Sequence, residues 1–219
     1  LSCQKSLANT LSDMKLNKEA IEEYLKYIEM MEDTKSHGNV DSIRSDYFLT
    51  IGKLYRRMGK LDEARDYFNE VIEMNDKDNA SSAFYRVAIL EYYQKNYAKA
   101  IDYFSRQIKH NDAEPLTSPY INRAEMYEDM GEPDLAIKDL YKALEILGDQ
   151  IAKTGSGENG NLKNQLFVRG VVYDLVGQKE LAEKDWKTVI DEYIKNPKDV
   201  YDERTVVDCC LRLNDPKRT

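Results

Sequence analysis

Between Phe48 and Asp76 the apolar positions form two stripes separated by a break. Phe48, Ile51 and Tyr55 stand at i, i+3 and i+7, one face of a helix. Gly52 lies within that face, where a small residue lets a second helix come close. Met58-Gly59-Lys60-Leu61 interrupts the run at a glycine. A second stripe follows at Leu61, Ala64, Phe68, Val71 and Ile72. The pattern predicts two helices joined by a tight turn, an αα-hairpin.

The hairpin recurs. The alanine at 64 has counterparts at Ala20, Ala100, Ala136 and Ala182, at successive intervals of 44, 36, 36 and 46 residues. Around them lie Leu7, Ala8, Leu11, Tyr24, Tyr27 and Ile28, and then Phe84, Val87, Ala88, Tyr92, Phe104 and Ile108. Tyr120, Ala124, Tyr127, Gly131, Leu140 and Ala143 form the fourth set, and Leu166, Gly170, Tyr173, Gly177, Trp186 and Val189 the fifth. Asn17 reads as an N-cap, and Asn96, in the turn Lys95-Asn96, as a stand-in for glycine in a left-handed turn. Pro119 and Pro133 suit the first turns of their helices. The expected repeats cover about 1–32, 45–78, 81–114, 117–147 and 163–196, with inserted loops at 33–44 and 148–162. Residues 199–219 read as a capping helix and tail, with Val200, Val206, Val207, Cys210, Leu211 and Leu213 on its apolar side.

Phe48, Ile51, Gly52, Tyr55, Gly59, Ala64 and Phe68, with their recurrences, resemble the tetratricopeptide repeat, whose period is about 34 residues. The resemblance implies an all-α fold, a right-handed solenoid of five helix-turn-helix repeats closed by a C-terminal capping helix. It also implies a scaffold or adaptor that binds a peptide or partner segment in a concave groove lined by the first helix of each hairpin. Helical spacing then nominates the groove residues. Lys5 and Asn9 come from the first repeat, and Leu49, Lys53, Arg56 and Arg57 from the second. Tyr85, Arg86, Ile89, Tyr92 and Tyr93 come from the third, and Asn122 from the fourth. In the fifth, Phe167, Val168 and Val171 are apolar and expected beneath the terminal helix. Arginine forks grip carboxylates, and tyrosines give rigid contact area, so a partner with acidic groups or a free C-terminal carboxylate is expected. Lys5, Asn9 and Arg86 match three positions of the carboxylate clamp by which some relatives hold chaperone tails. Thr50 and Ser82 replace the asparagine and lysine of that clamp, so a chaperone tail is not the expected ligand.

Composition narrows the partners. The chain has 219 residues, a formal net charge of −8, and sixteen tyrosines against five phenylalanines and one tryptophan. An acidic balance argues against nucleic acid and anionic membranes as general partners. No apolar run approaches the ~20 residues of a membrane-spanning helix.

Candidate chemistry is sparse. His37 and His110 are isolated, and Cys3, Cys209 and Cys210 form neither a disulfide framework nor a metal set. Neither a catalytic group nor a cofactor site is expected. Gly155–Gly160 reads GSGENG, a G-x-G-x-x-G string, but without the strand and helix a dinucleotide needs, so a loop is expected. Asn79-Ala80-Ser81 is a glycosylation sequon, relevant only in a glycosylating compartment. The opening Leu1-Ser2-Cys3-Gln4 admits two readings. As the end of a lipoprotein signal it makes Cys3 a lipidation site and the protein a periplasmic or surface lipoprotein in envelope assembly or uptake. As an ordinary boundary it leaves a cytoplasmic adaptor.

Overall fold

The computed structural model describes residues 2–33, 40–154, 161–195 and 202–214. These contain helices and no strand, and their contacts fall into two units, Leu1–Asp112 and Ala113–Thr219. The first unit comprises α1 (Ser2–Asp13), α2 (Asn17–Asp33), α3 (Val40–Arg57), α4 (Leu61–Met74), α5 (Lys77–Tyr93) and α6 (Tyr97–His110). The second comprises α7 (Ser118–Asp129), α8 (Pro133–Thr154), α9 (Asn161–Leu175), α10 (Lys179–Lys195) and α11 (Asp202–Leu213). Consecutive helices pack as hairpins: α1 on α2, α3 on α4, α5 on α6, α7 on α8 and α9 on α10.

One register generates every hairpin. Ala20, Ala64, Ala100, Ala136 and Ala182 are all fully buried. Five residues before each stands the turn residue with positive φ: Lys15 (62°), Gly59 (76°), Lys95 (61°), Gly131 (77°) and Gly177 (77°). Position therefore decides this conformation, and glycine only lowers its cost. The third turn departs from the sequence expectation. Lys95, not Asn96, takes the left-handed conformation, while Asn96 spends its side chain on Glu91 at 2.9 Å. Asn17 likewise is the first residue of α2 rather than its cap.

A second rule sets the helix crossings. Gly52 faces Phe68, and a Cβ there would lie 2.5 Å from the ring; Gly170 faces Trp186, with a corresponding 2.3 Å. The same sixteen-residue step pairs Ala8 with Tyr24, Ala88 with Phe104 and Ala124 with Leu140. The largest ring thus sits over a glycine.

The second unit adds buried ion pairs with the same step. Arg123 (α7) donates to both carboxylate oxygens of Asp139 (α8) at 2.6 and 2.7 Å. Arg169 (α9) does the same to Asp185 (α10) at 2.7 Å each. The equivalent positions of the first unit hold Ile51 with Tyr67 and Val87 with Tyr103.

Helix bounds correct the expected loops. Helix α3 already begins at Val40, inside 33–44, and α8 continues to Thr154 while α9 starts at Asn161, inside 148–162. His37, the GSGENG string and Val200 lie outside the described residues. Helix α11 packs on α10 and α9 and buries Cys209, with Arg212 over the rings of Phe167 (5.8 Å) and Trp186 (5.5 Å). Its outer face keeps Val207 and Leu211 exposed, so it is less polar than an end cap is expected to be.

Burial, reinforced by the nearby Cys210 and Asp208, pushes the Cys209 thiol from its ordinary 9.0 up to about 12. Burial also raises Tyr24, Tyr47 and Tyr67 of the first unit above 10.0. Each group holds its proton more tightly folded than unfolded. Their contribution is therefore fully present below the unfolded values and is lost as pH rises from about 9 toward 12. Urea midpoints should fall across that range. Native protein at pH 8 should alkylate quickly at Cys3 and Cys210 and at Cys209 only on unfolding; equal labelling of all three would contradict the buried placement.

Candidate functional site

The face of interest lies on α3 and α5 of the first unit. Asn79, near the start of α5, donates to Ser45 Oγ at 2.8 Å and Asp46 Oδ1 at 2.7 Å on α3, which ties the two helices together. Buried Ser81 accepts from Gln107 at 3.2 Å and Asn111 at 2.9 Å. Both ends of the sequon are thus engaged in helix packing in the folded chain.

Three cations converge on this face. Lys53 and Arg56 lie one turn apart on α3, and Arg86 reaches in from α5. Burial first, then the charge of Arg56, holds the Arg86 guanidinium below its ordinary value. Burial first, then Arg86, does the same to the Lys53 ammonium, with Asp46 acting weakly in the other direction. Like charges are therefore crowded together, with Lys53 and Arg86 half-buried and Arg56 exposed. Among the described residues no carboxylate lies within ion-pairing distance of any of the three. Arg86 stacks 6.0 Å from the Phe68 ring centre, and its buried Nε has no acceptor among the described residues. Burying an unmatched charged donor costs stability.

A polar cavity of about 600 Å³ opens beside α4, α5 and α6 in the same unit. Its centre is Glu91, 2% exposed, which accepts from Arg65 Nε at 2.7 Å. Arg65 also reaches Asp62 at 2.7 Å and Gln94 at 2.8 Å. These groups satisfy one another, and the network locks the α5–α6 turn to α4. Sequence reading misses it, because Glu91 occupies the place of Tyr55 and periodicity alone does not flag a charge there.

Comparison with known proteins agrees with the hairpin register. Tetratricopeptide repeat models match residues 49–113 and 117–146. The helical hairpins are also those of solved repeat structures. A putative kinesin light chain with nearly identical TPR-like repeats, from Podosopora anserina, superposes with a TM-score of 0.60 at 15% identity, covering 91% of this chain and 97% of that one. The chain carries tetratricopeptide repeats. BtubC (BKLC) from P. vanneervenii gives a TM-score of 0.61 at 16% identity over 83% of this chain and 75% of that one. MamA gives 0.51 at 19% over 88% and 97%. The comparison with curated proteins gives no match. Tetratricopeptide repeats form scaffolds for protein–protein interaction, and no described helix is long and apolar enough to cross a membrane.

Within this repeat framework the expected groove residues divide. Lys53, Arg56 and Arg86 form the cluster. Tyr85 and Tyr93 are exposed beside it on α5, 41% and 73%, and Ile89 is half-buried. Tyr92 packs against the rings of Tyr93 and Tyr97 at 5.7 and 5.8 Å. Four others have internal work. Leu49 is 6% exposed, because α3 is flanked by other helices and its second face is also covered. Asn9 accepts from the Tyr24 hydroxyl at 2.7 Å, and Lys5 lies near enough to the Tyr47 hydroxyl to act on it electrostatically. Arg57 donates to Ser12 O at 3.3 Å and Asn17 Oδ1 at 3.2 Å, clasping the first hairpin's turn. Asn122 is half-buried on α7 of the second unit, and Cys3 is exposed on α1.

Proposed function

We propose that this protein is a non-catalytic adaptor whose first unit holds an extended acidic segment of a partner protein across α3 and α5. Lys53, Arg56 and Arg86 meet the partner's anionic groups, and Tyr85 and Tyr93 supply flat contact beside them. The observation that carries the reading is the crowding of three cations with no carboxylate within ion-pairing distance among the described residues, one of them with a buried donor lacking an acceptor there. A protein with a net charge of −8 gathers unmatched positive charge at one place most economically for an anionic ligand. The exposed tyrosines fit a peptide, since rigid aromatic area binds chain segments at low entropic cost.

The test is a peptide array graded in Asp and Glu content, probed with the intact chain and with a K53M/R56M/R86M variant. The acidic members bind the natural chain, more weakly as salt rises, and lose about tenfold or more in affinity with the variant, a change of roughly 1.4 kcal/mol. Retained affinity in the variant would remove the cluster from the binding surface.

A further inference from the structure

We infer that the Lys53–Arg56–Arg86 cluster receives a phosphorylated side chain of the partner segment, a tetrahedral dianion, rather than a single carboxylate. The inference deepens the adaptor reading and rests on it.

Charge comes first. Three cations meet here, and among the described residues Asp46 is the acid that bears on Lys53. Its Oδ1 already accepts from Asn79 at 2.7 Å, so it is held in the bond that ties α5 to α3. One carboxylate would cancel a single charge and leave at least one more unbalanced in a half-buried place. A phosphorylated side chain brings about −1.5 to −2 and three strong acceptor oxygens.

Donor geometry points the same way. Arg86 presents its guanidinium from α5, while Lys53 and Arg56 stand one turn apart on α3. Donors therefore approach from two helices, which suits oxygens spread over a tetrahedron better than the two coplanar oxygens of a carboxylate. The buried Nε of Arg86 lacks an acceptor among the described residues. The two terminal Nη groups of an arginine also present a fork to two oxygens of one oxyanion, without involving the shielded Nε. Packing over Phe68 holds that fork in place before any ligand arrives, so little side-chain freedom is lost on binding. Lys53 contributes a point charge on the other side. The repulsion and burial that depress both groups are what a dianion would relieve. Binding would then follow phosphorylation of the partner.

The experiment follows the Nε–Hε signal of Arg86 by NMR in the intact, isotopically labelled chain at constant ionic strength. The probes are inorganic phosphate, acetate, a blocked alanine–serine heptapeptide carrying one phosphoserine, and the same peptide with glutamate in that place. Phosphate is expected to move the signal saturably, and acetate not to. The phosphopeptide is expected to bind at least tenfold more tightly than the glutamate peptide. K53M, with its helical circular dichroism unchanged, should remove most of that preference, and R86M, which lacks the reporter and is followed by titration calorimetry with the same two peptides, should abolish it. Equal binding of the two peptides would overturn the dianion and leave the adaptor reading standing. Phosphate binding with no gain for the phosphopeptide would overturn it in favour of free phosphate. If no probe moves the signal, and the acidic array is also silent, the adaptor reading fails with it.

Discussion

Asp185→Ala is expected to lower the stability of the second unit by about 3–5 kcal/mol. Asp185 is only 4% exposed, and both of its carboxylate oxygens accept from Arg169. Removing it strands a guanidinium between α9 and α10, held there by the ring of Tyr173 at 5.7 Å. The cost is that of the orphaned charge rather than of the pair. Replacing both partners, as in R169M/D185L, should therefore destabilise much less than D185A alone. Denaturant unfolding of the three proteins checks this. If the double variant is as unstable as D185A, the loss comes from packing and the charge argument fails. Arg123 with Asp139 should behave in the same way one hairpin earlier.

Gly170→Ala is expected to cost the same unit about 1–3 kcal/mol, although alanine is the better helix former by about 1 kcal/mol. A Cβ at 170 would lie 2.3 Å from Trp186 Nε1 and 2.6 Å from its Cδ1. The indole cannot easily retreat, since it is fully buried and donates to Phe167 O at 3.3 Å. A smaller ring should relieve the clash, so W186F should be less harmful in the G170A background than alone. Comparing urea midpoints across that double-mutant cycle measures the coupling. Additive losses would mean that glycine is not there for the ring. Gly52 under Phe68 predicts the same sign in the first unit, with a Cβ 2.5 Å from Cε1.

The hairpins are legible because two short rules repeat: a buried alanine five residues after the turn, and a small residue sixteen before a large one. Neither rule depends on long-range geometry, so both can be read along the chain. The buried arginine–aspartate pairs follow the same sixteen-residue step, with Arg169 next to Gly170 on the packing face. They escape a sequence reading because charged residues in helices are usually solvated. Leu49 misleads for a related reason. A first helix in a stack touches more than one neighbour, so the face opposite its main stripe is not free. Spacing names Lys53, Arg56 and Arg86, but their crowding depends on how α3 and α5 pack, which spacing does not contain.

The central claim is that these three cations serve a ligand and not the fold. The most direct test is the unfolding free energy of K53M/R86M without any partner. Methionine keeps the apolar stems and removes the two half-buried charges that repel their neighbours. Stability is expected to be unchanged or to rise by about 1 kcal/mol, as when unmatched buried charge gives way to apolar packing. A fall of about 1 kcal/mol or more would mean that the cluster is part of the fold's own support, and the account of the site would be wrong.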